Sequence, residues 1–269
     1  MVIVMRAAVF FPPFGEAAHP RVCADLAARA EEHGWDGVFL WDHLQYRAPT
    51  TDVGDPWIAM AAQAVATEQI RLGAMITPLA RRRPAVVARQ VTALDQLSDG
   101  RMTVGVGLGL DRSGHELSSF GEELDARTRA DMLDEHLEVL EALWSGQPLH
   151  HRGRHYTATD VHFRPTPVQR PRPPIWVGAR WPNRRPIQRA LRYDGLFPVD
   201  IGGTQDLADL MGHLHEQGAP DDFDVAVLGL GVDPDEAADL GVTWWLTWFG
   251  HELRDAGDVR AVIRNGPPG

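Results

Sequence analysis

Apolar residues fall in short runs along this chain, and the runs alternate with stretches whose apolar positions recur at helical spacing. The run at 72–76 ends at Thr77-Pro78, because proline fixes φ and has no N–H to donate. Pro84 suits the first turn of a helix, where a missing donor costs nothing, and Val86, Val87, Val91, Leu94 and Leu97 follow at roughly helical spacing. Asp99-Gly100 breaks that helix, and Met102, Val104, Val106 and Leu108 restart a strand. A helix this short between two strands makes a parallel crossover.

The same alternation continues along the chain. It predicts strands at 2–11, 37–41, 70–76, 101–108, 175–178, 195–197, 223–230 and 242–247. Helices are predicted between them, with Pro20 and Asp55-Pro56 opening the first two and a long amphipathic stretch at 125–144. Further helices fall at 183–192, 204–217 and 234–240, whereas 147–174 reads as loop, with five prolines after Phe163. Eight short strands alternating with helices over about 250 residues form the pattern of a TIM barrel. A doubly wound open sheet also alternates, but it would place a glycine-rich phosphate turn after its first strand. Here that turn is Phe11-Pro12-Pro13-Phe14-Gly15. The predicted fold is therefore an α/β TIM barrel, one domain over 1–269 with an irregular excursion at about 147–173. In such a barrel the C-terminal strand ends face the active site.

Composition narrows the function classes. The chain has 269 residues, 44% hydrophobic, enough for a substantial core. A net charge of −11 argues against nucleic acid, whose binding rests on basic surface. No apolar run approaches the roughly 18 residues of a membrane helix, and the first residues read as a strand rather than a signal peptide. A lone cysteine, Cys23, makes no internal disulfide. These features predict a soluble, cytoplasmic globular protein.

Candidate chemistry lies at the strand ends. Asp42-His43 follows the second strand: the histidine, tuned by the neighbouring carboxylate, can serve as general acid or base, or it can simply cap a turn or hydrogen-bond a carbonyl. Ala74, Met75, Ile76 and Thr77 end the third strand, either as an ordinary terminus or as a bulge against a planar ligand. Gly105, Gly107 and Gly109 lack the spacing of a dinucleotide motif, and their plausible use is close approach of backbone or a flat ligand. The loop Gly178, Ala179, Arg180, Trp181, with Arg184 and Arg185 just beyond, is the best anion site, because a helix N-terminus attracts phosphate. Phe11, Leu110, Trp248 and Phe249 fall where loops after the first, fourth and eighth strands can line an apolar substrate pocket. His150, His151, His155 and His162 match no zinc spacing, so no metal is expected. Neither a G-x-S-x-G nor a Walker A sequence occurs.

The chain resembles the bacterial luciferase-like flavin-dependent oxidoreductases. The resemblance is carried by GWDGVFLWDHL (34–44), RRRPAVVARQVTALDQLSDGRMTVGVGLG (81–109), R-x-x-x-x-DEHLEVLEALWSG (129–146) and PVQRPRPPIWVGARWPNRRPIQRALRYDGLFPV (167–199). It implies a barrel that holds a flavin, either FMN or the deazaflavin coenzyme F420, at its C-terminal mouth. It also implies a bulge with a non-prolyl cis peptide near Ala74-Met75, a cofactor phosphate on the loop 178–185, and a proton-transfer role for His43. A homodimer is compatible with it. Some deazaflavin dehydrogenases carry a glutamate after the fourth-strand glycines, where this chain has Leu110 and Asp111. Little room remains for the large insertion after strand seven, so the pocket is open, or closed by 147–173 or a partner subunit. The leading expectation is hydride transfer between a non-covalent flavin-type cofactor, F420 slightly favoured, and a small organic substrate. The alternatives are a reduced-FMN monooxygenase and a non-catalytic flavin-binding protein, with a metal-dependent barrel hydrolase behind both.

Overall fold

Residues 5–268, apart from 113, 230 and 254, are described by a computed structural model. Eight parallel strands close a barrel: β1 (Arg6–Phe11), β2 (Gly37–Leu40), β3 (Arg71–Pro78), β4 (Met102–Gly107), β7 (Ile175–Ala179), β8 (Gly195–Pro198), β9 (Asp224–Leu228) and β10 (Trp244–Trp248). They neighbour one another in that order, and β10 pairs with β1 through Arg6 opposite Trp244 to Phe10 opposite Trp248. The outer layer is built from α1 (Pro20–Glu32), α2 (Pro56–Ala66), α3 (Pro84–Leu97), α4 (Ala126–Trp144), α5 (Arg184–Ala190), α6 (Thr204–Glu216), α7 (Pro234–Asp239) and α8 (Gly257–Asn265).

Helix starts follow local chemistry. Asp55 accepts from the N–H groups of Trp57 and Ile58 at the head of α2, and Asp125 accepts from Thr128 N at the head of α4. Proline stands in the first turn of α1, α2 and α3. The buried Arg101 guanidinium donates to the carbonyls of Ala64, Thr67 and Ile70, satisfying groups left free where α2 ends.

Strand alternation divides the interior in two. Ala7, Val9 and Phe11 face the helices, with Val38, Leu40, Val225 and Val227. Ala8 and Phe10 face the lumen with Phe39, Met75, Trp176, Phe197, Trp244 and Leu246.

Three expectations need correction. The stretch 147–173 is not all loop: β5 (Leu149–Arg152) and β6 (Thr157–Val161) form an antiparallel hairpin. Glu135 of α4 pins it by accepting from His155 N, Tyr156 N and His151 Nε2, and Asp95 of α3 accepts from Val168 N and Gln169 N. The excursion is thereby bound to the helical layer and contributes no residue to the cavity described below. α8 lies beyond the last predicted element, and β3 runs two residues past its predicted end. Among the described residues, no helix is long and apolar enough to cross a membrane.

Candidate active site

A cavity of about 460 Å³ opens at the C-terminal mouth of the barrel, within the range usual for small-molecule sites. Its floor is apolar and aromatic, with Phe10, Trp41, Phe197 and Trp248 among its walls, and Trp41 and Trp248 nearly parallel at 23°. Phe10 is the first-strand residue that lines it. Phe11, expected there, is buried against the helices because neighbouring strand residues point to opposite faces. Leu110 and Trp248 are walls as expected; Phe249 is not, and its N–H is held by the carbonyl of Phe10.

At the end of β3 the register with β4 shifts between Ala74 and Thr77, and the Met75–Ile76 peptide is cis, one residue later than expected. Met75 and Ile76 line the cavity, whereas Ala74 and Thr77 are buried away from it. Gly107, Gly109 and Gly178 also line it. An added Cβ at Gly107 would lie 2.4 Å from Ile76 Cδ1, and one at Gly178 would lie 3.0 Å from Ile76 Cγ2. These two glycines therefore make room first for Ile76, not directly for a ligand.

The basic loop divides differently from its sequence. Gly178, Ala179 and Arg180 line the cavity, with Arg180 paired to Asp200 at 2.7 Å. Trp181 packs against His213 and beneath the Arg184 guanidinium, and Arg184 and Arg185 are exposed and absent from the walls. Arg189 reaches the cavity but is held by Asp134 at 2.6 and 2.8 Å.

The available cation is one that sequence reasoning did not single out. Arg129 of α4 lines the cavity at 7% exposure, and only its Nη1 is engaged, donating to the carbonyls of Glu123 and Leu124. Its Nε is buried without a partner, and no carboxylate among the described residues pairs with it. Nothing in a helical repeat distinguishes an arginine that turns inward from one that stays at the surface.

Asp42 and His43 both line the cavity, but they do not form a pair. Asp42 is fully enclosed, accepting from Arg81 at 2.6 Å, from Arg82 at 2.9 Å and from Trp57 Nε1 at 3.1 Å. Burial opposes its charge, yet Arg82 and Arg81 hold its carboxyl below the usual aspartate range. His43 Nδ1 instead meets Glu116 Oε1 at 3.1 Å. Glu116 also accepts from Arg81 Nη1 at 2.6 Å and from Leu44 N at 2.9 Å. It is 73 residues from His43 in sequence, so only the fold brings the two together. Asp111, which stands near the glutamate position of some deazaflavin enzymes, caps its own loop by accepting from Leu117 N and Ser118 N.

His151 is taken by Glu135 at 3.1 Å and His150 approaches Asp160 at 3.7 Å. Among the described residues no group of three or more His, Cys, Asp or Glu is placed to hold a metal ion.

These walls fit a flavin-type group: an apolar bed wide enough for a ring system, and at its edge a buried guanidinium with hydrogen-bond donors to spare. Comparisons with known proteins agree with this architecture. The chain is 32% identical over 241 residues to an F420-dependent glucose-6-phosphate dehydrogenase of Beutenbergia cavernae, covering 83% of this chain and 68% of that protein. The fold matches monooxygenase RslO1 from Streptomyces bottropensis with a TM-score of 0.76 at 20% identity, covering 97% of each chain. It also matches an F420-dependent secondary alcohol dehydrogenase, solved with an F420-acetone adduct, with a TM-score of 0.71 at 24% identity over 96% of this chain and 81% of that one. The sequence pattern of the luciferase-like monooxygenase family matches residues 5–249. From β1 through the last barrel strand, this chain belongs to the luciferase-like monooxygenase family.

Proposed function

We propose that the cavity holds a flavin-type cofactor without covalent attachment, and that the protein transfers hydride between it and a small organic substrate. The observation that carries this reading is Arg129, a buried cation with unused donors on a cavity whose other two arginines, Arg180 and Arg189, are already paired to Asp200 and Asp134. A largely apolar ligand with an anionic group satisfies that cation, since an unpartnered buried charge is costly. The cofactor supplies the hydride chemistry when bound. Met75 and Ile76 support a ring by contact, Arg129 and the Gly178–Arg180 backbone hold an anion, and the aromatic walls give the ring an apolar surface. His43 takes up or returns the proton that accompanies hydride transfer.

Coenzyme F420 is favoured over FMN. The relatedness to an F420-dependent glucose-6-phosphate dehydrogenase supports that preference, as does a histidine on the cavity wall. A reduced-FMN monooxygenase is the second reading, and the aromatic walls Phe10, Trp41, Phe197 and Trp248 are the feature that favours it.

Separate titrations with F420 and with FMN, followed by absorbance, test the proposal. A saturable spectral change with F420 is expected. Arg129→Ala should weaken binding about 10- to 100-fold, the scale of losing hydrogen bonds from a charged donor, while Arg184→Ala with Arg185→Ala should change it little. A spectrum unmoved by either cofactor would overturn the reading, and a response to FMN alone would select the monooxygenase.

A further inference from the structure

We propose that Glu116 is the positioning residue of this site: its carboxylate accepts the Nδ1–H of His43, so the imidazole presents Nε2 to the cavity as the nitrogen that exchanges a proton with the substrate. The inference rests on the hydride-transfer reading above, in which His43 handles that proton.

The two oxygens of Glu116 have separate duties. Oε1 faces His43 Nδ1, while Oε2 accepts from Arg81 Nη1 and Leu44 N, so the carboxylate is anchored independently of the imidazole. The Glu116 side chain is 1% exposed and His43 20%, which leaves the histidine as the member open to the cavity. Burial works against charge on Glu116, but the hydrogen bond from His43, the charges of His43 and Arg81, and Leu44 N together hold its carboxyl below the usual glutamate range. Glu116 therefore stays ionised and cannot serve as the acid itself. An ionised carboxylate only accepts hydrogen bonds, so the Nδ1 facing it carries hydrogen. Neutral imidazole then has its lone pair at Nε2, for which no hydrogen-bond partner exists among the described residues.

Asp42 cannot take this role, because Arg81, Arg82 and Trp57 occupy both of its oxygens. The groups around His43 come from four segments. Asp42 and Tyr46 stand on its own loop, Arg81 and Arg82 follow β3, Glu116 follows β4, and His251 after β10 reaches the ring of Tyr46. Two guanidinium groups and two carboxylates sum to zero charge. Protonation of His43 therefore adds one positive charge beside a carboxylate already aligned to receive it. In the oxidative direction Nε2 would accept the proton on the heteroatom beside the carbon that gives up hydride, for which a bound flavin-type group would be the acceptor. In the reductive direction the imidazolium returns that proton.

Nitrogen-15 histidine NMR of the full-length protein, with His43 assigned from His43→Ala, tests this without cofactor or substrate. The neutral ring is expected as the Nδ1–H form in the wild type. In Glu116→Gln the carbonyl oxygen should keep Leu44 N and Arg81, so the amide NH2 faces Nδ1 and the neutral ring should move towards the Nε2–H form. A wild-type Nε2–H form, or an unchanged tautomer in a folded Glu116→Gln protein, would overturn the proposal. The wild-type tautomer decides the matter if that variant fails to fold. Failure of the cofactor titrations would sink the hydride reading and leave the tautomer result standing, so the two outcomes are separable.

Discussion

At Asp42 two guanidinium groups converge on one buried carboxylate, and this arrangement explains why the acid next to the histidine in sequence is not its partner in space. A side chain pairs with what its rotamer and neighbours offer, and adjacency along a strand end turns consecutive side chains apart. The Asp42-His43 dipeptide was read as a pair, whereas His43 meets Glu116 and Asp42 meets Arg81 and Arg82. Glu116 had no readable signal, and Arg129 was read only as the start of a family-resembling stretch, because the role of each depends on which way one polar residue turns in the fold. The same burial gives a residue-scale prediction at His136 of α4. Desolvation pushes its pKa from 6.5 down to about 3, so the folded protein keeps it neutral in a range where the unfolded chain binds a proton. A depressed pKa contributes stability that is present above the unfolded value and lost as pH falls. Stability in urea should therefore decline from about pH 6.5 towards pH 3, and His136→Leu should flatten the upper part of that decline. A wild-type midpoint constant from pH 7 to pH 4 would refute this.

At the scale of elements, spacing was informative wherever one face meets the core. The apolar runs became barrel strands and the periodic stretches became helices, with Asp55 capping α2 as expected. Which strand residue enters the lumen was not legible in a continuous run such as Ala7 to Phe11. Every residue there is apolar and buried, so no polar partner marks the face. The hairpin β5–β6 was missed because its strands carry histidine, arginine and threonine and are held by Glu135 rather than by apolar alternation. The glycines of β4 separate stability from binding. At Gly105 an added Cβ would lie 2.2 Å from the carbonyl oxygen of Ala74, which is backbone; at Gly107 it meets the free end of Ile76. Gly105→Ala should cost about 1–3 kcal/mol or more in urea unfolding. Gly107→Ala should keep most stability but push Ile76 into the cavity and weaken F420 or FMN binding. Equal unfolding midpoints for the two variants would contradict this assignment.

For the whole molecule, closure is the decisive event, because β10 from the last part of the chain pairs with β1 from the first. We propose that the chain is one folding unit on this ground. Truncation after Gly241 removes β10 and α8 and leaves β1 and β9 as open edges. That protein should lose its cooperative thermal transition; a sharp transition near the wild-type temperature would show that the remainder folds alone. By itself the sequence determined the alternation of strand and helix, the barrel, the family resemblance and the end of the barrel that carries polar residues. The alternation and the barrel follow from local periodicity and turn chemistry, which act over a few residues, and the resemblance from specific stretches such as 34–44 and 81–109. The tertiary structure alone decided that Phe10 rather than Phe11 lines the site, that Arg129 rather than Arg184 or Arg185 brings the spare charge, and that Glu116 holds His43. Each of these is a contact or an orientation set by residues distant in the chain, and such geometry exists only once the barrel has closed.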